Sequence, residues 1–134
     1  MNAKQIVQDF CDLMAKRDAQ AVRSYLADDV VYQNVGMPPT VGADAVVENL
    51  AGQMAMFPDS YRYETVNTVA DGDLVMNERL DHISDLQGRE HALPVMGTFV
   101  VRDGRITRWT DYWDSGLIAK MMSGDDYAAL LPKY

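Results

Sequence analysis

A single cysteine, Cys11, stands in this chain of 134 residues, so no internal disulfide can form and no structural zinc site can be built on thiolates. Free cysteine buries readily, and Cys11 falls on a partly apolar face of the first predicted helix, where it reads as core filler. Histidine is nearly as scarce: His82 and His91 are the whole supply. They sit on different predicted strands without a metal-like set of partners, so structural roles are expected for both, with no metal and no cofactor. Cations are outnumbered, 12 Lys and Arg against 20 Asp and Glu, for a net charge of −8. Nucleic acid and anionic membranes need clustered cations, and this balance argues against both as partners. No run approaches the roughly 18 apolar residues of a membrane span. Met1–Gln5 does not read as a signal peptide, and a cytoplasmic protein is expected.

What the chain has is a substantial apolar fraction, 48%, enough at this length for one core. Residues 1–134 are expected to form a single domain. Ile6, Phe10, Leu13 and Met14 recur at helical spacing and predict an amphipathic helix over residues 3–16. A shorter helix is expected from Ala19 to Leu26, with Asp18 as its N-cap, and a third from Gly42 to Met56. Val30–Asn34 is β-branched and aromatic and reads as a strand. Four more strands follow: Tyr61–Val69, Leu74–Ser84, Arg89–Arg102 and Arg105–Asp114, joined by turns at Asp71–Asp73, Asp85–Gly88 and Asp103-Gly104. Pro94 inside the long strand predicts a bulge or a late start there. One or two short helices are expected in Ser115–Leu131. Helices followed by an antiparallel meander give an α+β pattern, and a strongly twisted sheet with helices on one face makes a cone around an apolar pocket.

Three segments carry chemistry: Tyr32-Gln33-Asn34, Asn77-Glu78-Arg79-Leu80-Asp81 and Trp109-Thr110-Asp111. Side chains two apart share a strand face. Tyr32 therefore goes with Asn34, Arg79 with Asp81, Val75, Asn77 and Ile83, and Asp111 with Trp109 and Trp113. An exposed Arg79–Asp81 ion pair of little energetic weight is one reading of this pattern. The opposite face of the same strand, Leu74, Met76, Leu80 and His82, is also mostly apolar. That predicts a strand covered on both sides, with its charges enclosed and in need of partners. Both readings stand on pattern alone.

The same segments, with Pro38-Pro39 after the first and Tyr112 after the third, resemble those of the limonene-1,2-epoxide hydrolase family. That family belongs to the wider SnoaL-like group of cone-shaped domains similar to nuclear transport factor 2 (NTF2-like). The resemblance runs over nearly the whole chain in element order and length. It implies an NTF2-like (cystatin-like) fold, a curved, mainly antiparallel sheet with N-terminal helices packed on it. It also implies a homodimer, and an epoxide hydrolase that adds water directly to apolar cyclic or small alkyl epoxides to give vicinal diols. In that family the aspartate of the Arg-x-Asp segment, here Asp81, protonates the epoxide oxygen. The aspartate of the Trp-x-Asp segment, here Asp111, takes a proton from water. Arg79 would bind both acids, and Tyr32 and Asn34 would hold the water. Trp109, Trp113, Val75, Ile83 and Met37 are expected to bind the substrate. Thr110 stands where the family carries arginine, but it points away from the Asp111 face. Trp113 stands where phenylalanine is expected and points the same way as Asp111, so it should narrow the pocket.

Elementary chemistry agrees with these roles. Opening an epoxide with water needs an acid on the oxygen and a base on the water, acting from opposite sides. Neighbouring carboxylates tend toward one protonated and one ionised member. Two other classes use the same cone. One is an isomerase or cyclase of the ketosteroid isomerase or polyketide cyclase type, for which an arginine between two acids is less natural. The other is a non-catalytic ligand-binding domain, since fold does not fix function.

Overall fold

The computed structural model describes residues 1–134 and builds them around one curved, unclosed six-stranded sheet. The strands are β1 (Leu26–Asn34), β2 (Thr40–Val41), β3 (Tyr61–Asp71), β4 (Leu74–Ser84), β5 (Glu90–Arg102) and β6 (Arg105–Tyr112), in the order β2-β1-β6-β5-β4-β3. Three helices accompany them: α1 (Ala3–Asp12), α2 (Ala43–Met56) and α3 (Ser115–Ser123). This is the expected α+β arrangement. No helix is long and apolar enough to cross a membrane.

The meander β3-β4-β5-β6 is antiparallel throughout, as hairpin connections require. β1 runs parallel to β6, setting Tyr32 beside Trp109 and Asn34 beside Asp111. Register shifts in β1, β3 and β6 bend these strands and add twist, which curls the sheet over its inner face. Pro94 brings neither a bulge nor a late start: Leu80 stays opposite it without a break in register. β5 pairs with β6 only from Met96 onward, so at Pro94 one strand edge has no strand neighbour, a position where a missing N–H is tolerated.

Asn2 caps α1, its Oδ1 accepting from the Gln5 N–H at 2.9 Å. Ile6, Val7, Phe10 and Cys11 turn inward from it. The expected helix over 3–16 stops being α-helical at Asp12. It tightens to a 3₁₀ turn (Leu13–Lys16) that ends at Arg17 in the left-handed region. Arg17 then donates to the carbonyls of Met54 at 2.7 Å and Phe57 at 2.8 Å, a cation closing the C-terminus of α2. The segment after Asp18 is likewise 3₁₀, over Ala19–Tyr25, with the Asp18 carboxylate accepting from Gln20 as expected of a cap.

α1 packs on β3 and α2 on β1. The core between them holds Phe10, Phe99 and Trp109, with Phe10 edge-on to Trp109 at 5.0 Å. The predicted cover on both faces of β4 is corrected for the first half of its outer side, while His82 further along that side is buried. Leu74 and Met76 are 41% and 43% exposed, because every helix that covers the sheet interior lies on the other face. Arg79 is enclosed from that inner face alone.

Candidate active site

Alternation along β4 sends Asn77, Arg79, Asp81 and Ile83 inward together. Arg79 is the second-largest fully buried side chain of the protein, at 0% exposure. An arginine buried this far must satisfy five N–H donors, and all five are engaged. Nε donates to Asp81 Oδ1 at 3.0 Å, and Nη2 donates to Asp81 Oδ2 at 3.0 Å and to Asp111 Oδ2 at 2.9 Å. Nη1 donates to Asp111 Oδ1 at 3.2 Å and to Asn77 Oδ1 at 3.0 Å. The guanidinium thus grips both carboxylates with two prongs each, the geometry in which Arg–carboxylate pairing is strongest. Its other side lies 4.5 Å from the centre of the Tyr63 ring, a cation–π contact.

Gly97 makes this arrangement possible. It sits on β5 between Asn77 and Asp111. A Cβ there would meet Arg79 Nη1 at 2.2 Å, Asn77 Oδ1 at 2.7 Å and Asp111 Oδ1 at 3.0 Å. Bare backbone lets the guanidinium lie against the strand.

The carboxylates face a cavity of about 300 Å³, and Arg79 does not line it. Asp81, Asp111, Tyr32 and Asn34 form its polar end, with Ile83, Leu93, Val95 and Ile118 among the apolar walls. Burial pushes the Asp81 carboxyl up to about 6; Arg79 pulls against this and the Asp111 charge adds to it. Burial raises the Tyr32 phenol, with the Asp111 charge adding to the rise, so it remains a proton-bearing donor. Asp111 Oδ1 accepts from Trp109 Nε1 at 2.8 Å as well as from Arg79, which engages both of its lone pairs. Asp111 Oδ2 keeps one free. The arrangement therefore offers a proton-holding acid at Asp81 and an open carboxylate oxygen at Asp111 on one small cavity.

The five residues proposed from the sequence as chemical groups, Tyr32, Asn34, Arg79, Asp81 and Asp111, meet at this end. Of the expected substrate contacts, Trp113, Ile83 and Met37 line the cavity. Val75 and Trp109 do not, and these two expectations are corrected. Val75 shares the Asp81 face but lies six residues away, about 20 Å along a strand, inside the packed core. Trp109 is fully buried, stacked on Tyr32 at 3.9 Å, and acts on the site through its bond to Asp111. Trp113 does more than narrow the cavity, since its Nε1 donates to Asn34 Oδ1 at 2.8 Å.

Sequence reasoning passed over Gln53, Asn49, Tyr61 and Tyr63, which also line the cavity. Gln53 and Asn49 stand one helical turn apart on α2, and that i, i+4 pair of amides was the available signal. Gly97 was signalled by an isolated glycine in a strand pattern, which marks close approach of another group. His82 lies between Glu64 and Glu90, and His91 between Asp85 and Tyr127, both away from the cavity. No group of three or more His, Cys, Asp or Glu side chains converges as a metal site needs.

Comparison with known proteins follows the same line. Residues 7–109 match the SnoaL-like domain family. Over 108 residues the chain is 32% identical to epoxide hydrolase EphG of Mycobacterium tuberculosis, covering 81% of this chain and 70% of that one. Among solved structures it is similar to a limonene-epoxide-hydrolase-like (LEH-like) epoxide hydrolase of M. tuberculosis, with a TM-score of 0.79 and 29% identity, covering 98% of this chain and 96% of that one. A nuclear transport factor 2-like protein of unknown function from Burkholderia pseudomallei gives a TM-score of 0.81 at 17% identity, over 92% of this chain and 98% of that one; it speaks for the fold alone.

Proposed function

The chain belongs to the SnoaL-like domain family and has its nuclear transport factor 2-like fold, and within that family we propose that it is an epoxide hydrolase adding water directly to small apolar epoxides. The observation that carries this reading is the Arg79 bridge: one buried guanidinium holds two carboxylates, both facing the cavity, with all five of its donors engaged. The similarity to M. tuberculosis epoxide hydrolase, in sequence and in structure, supports it.

In the proposed reaction, Asp111 Oδ2 takes a proton from a water as the water oxygen bonds to one epoxide carbon. The C–O bond of that carbon breaks on the opposite side, and its electron pair takes the Asp81 proton. The diol leaves with Asp111 protonated and Asp81 ionised, and a net proton transfer from Asp111 to Asp81 resets the pair. No covalent enzyme intermediate forms. Arg79 holds the two acids in a fixed geometry through both half-steps, which is where positioning lowers the barrier. A cavity of about 300 Å³ with apolar walls suits a monocyclic or small alkyl epoxide. A ketosteroid isomerase-type proton shift needs one base and a neutral oxyanion donor rather than an acid and a base on one arginine.

The same reading includes action in the cytoplasm as a homodimer. Leu74, Met76, Met96 and Tyr112 leave an exposed apolar strip on the outer face of β4–β6 that a second copy would cover. The test of function is a panel of epoxides, including cyclohexene oxide and limonene oxide, assayed for diol with the native protein, Asp81→Asn and Asp111→Asn. Diol from the native protein alone is expected. Full activity in either variant contradicts the assignment, and conversion of a Δ5-ketosteroid without epoxide turnover favours the isomerase class.

A further inference from the structure

Resting on the epoxide-hydrolase reading, we infer that Gln53 is a positioning residue that forces Tyr32 to donate its proton into the cavity, and so fixes the orientation of the attacking water. A phenol oxygen has one proton and two acceptor sites. Asn34 Nδ2 donates to the Tyr32 oxygen at 3.0 Å and Gln53 Nε2 at 3.1 Å, so both acceptor sites are filled. No protein acceptor takes the Tyr32 proton, and the hydroxyl borders the cavity. Its proton is the one that the surrounding network leaves over.

The orientation of the Gln53 amide is itself determined. Its Oε1 accepts from the Tyr61 hydroxyl at 2.9 Å, and its Nε2 also donates to Asn49 Oδ1 at 2.7 Å. Asn49 in turn donates from Nδ2 to Thr40 Oγ1 at 3.2 Å. Tyr61 gives its proton to Gln53, so the 3.1 Å contact between Tyr61 and Tyr63 takes its proton from Tyr63. Reversing the Gln53 amide would set its oxygen against Asn49 Oδ1, acceptor against acceptor.

The acceptors around the water are counted in the same way. Asn34 Oδ1 accepts from Trp113 Nε1 and retains one lone pair. Asp111 Oδ2 accepts from Arg79 and retains one. A water that receives the Tyr32 proton can give its two hydrogens to those two oxygens. Its remaining lone pair is then the one available to the epoxide carbon. Gln53 borders the same cavity, and its effect on the orientation of the water runs through Tyr32.

Gln53→Glu tests this, because the substituted side chain changes polarity with pH at constant shape. Ionised, it accepts only, and Tyr32 turns its proton away from the cavity. Protonated, it can donate to Tyr32 as the amide does. Expected is a kcat lower by about 10- to 100-fold at pH 8 with KM little changed. The ratio of variant to native kcat should recover as pH falls, through one ionisation that the native profile lacks. In the Tyr32→Phe background the same substitution should have no further effect on kcat. If Gln53→Glu does not fold, Gln53→Met serves: kcat falls by a similar factor, with circular dichroism unchanged. Native-like kcat in either folded variant, or a pH-independent ratio for Gln53→Glu, overturns the inference. Absence of epoxide turnover by the native protein overturns instead the reading on which it rests.

Discussion

Replacing Asp81 by asparagine should remove activity and, at the same time, flatten the pH dependence of folding stability. Asp81, Arg79 and Asp111 carry a net charge of −1 when both carboxylates are ionised, in a site sealed from solvent around Arg79. The Asp81 carboxyl is displaced from its ordinary 3.8 to about 6, first by burial. A carboxyl raised in the folded state is stabilised there as the acid. Its contribution is fully present below the ordinary value and is lost as pH rises through about 6. At about 1.4 kcal/mol per pH unit the whole displacement corresponds to roughly 3 kcal/mol, of which roughly 2 kcal/mol falls between pH 4 and pH 8. Asparagine mimics the protonated acid and does not titrate. It deprives one Arg79 N–H of an acceptor, a penalty of about 1–3 kcal/mol that does not vary over this range. Urea unfolding of the two proteins at pH 4, 6 and 8 reads the difference directly. The stability of Asp81→Asn relative to the native protein should rise by roughly 2 kcal/mol from pH 4 to pH 8. Parallel curves, agreeing in their pH dependence within about 0.5 kcal/mol, would refute the placement of a raised, enclosed acid at this position.

Other consequences follow from the same geometry. The rate of epoxide opening should fall above about pH 6, approaching tenfold per pH unit, as Asp81 loses the proton it must supply; initial rates constant to pH 9 contradict that role. Gly97→Ala puts a methyl group 2.2 Å from Arg79 Nη1 and should destabilise by about 1–3 kcal/mol with loss of activity. Gly52→Ala, in α2 with nothing within 4 Å of the new methyl, should instead stabilise by roughly 0.5–1 kcal/mol; thermal melts of both variants check the contrast. Trp113→Phe removes the donor to Asn34 Oδ1 and shortens one cavity wall. Expected are a lower kcat and a shift in kcat/KM toward limonene oxide relative to cyclohexene oxide, and an unchanged ratio contradicts the wall assignment.

How far the site was legible depended on the kind of contact. Strand alternation is local, so the shared face of Arg79 and Asp81 could be read from two residues, as could that of Tyr32 and Asn34. Helix and strand order followed from periodicity and from turn residues such as Asp103-Gly104, whose positive φ angles of 51° and 76° suit a two-residue hairpin. Parallel pairing of β1 with β6 joins Asn34 to Asp111, 77 residues apart, and leaves no local signal. Parity gives the face of a residue and not its depth along a curved strand, so it does not separate Val75 from the cavity residue Ile83. Apolarity on the outer side of β4 predicts cover within the chain, whereas Leu74 and Met76 are exposed. Gln53 was passed over because its importance depends on hydrogen-bond directions around Tyr32, which no periodicity encodes.

The most direct test of two acids acting on water is one turnover in ¹⁸O-labelled water. Cyclohexene oxide is mixed with excess native protein, and diol and protein are analysed separately by mass. Direct attack requires one ¹⁸O in the diol from the first turnover and none in the protein. An unlabelled first diol, with ¹⁸O in the carboxylate of Asp81 or Asp111, would mean that a side chain had attacked the epoxide and would contradict the roles of both.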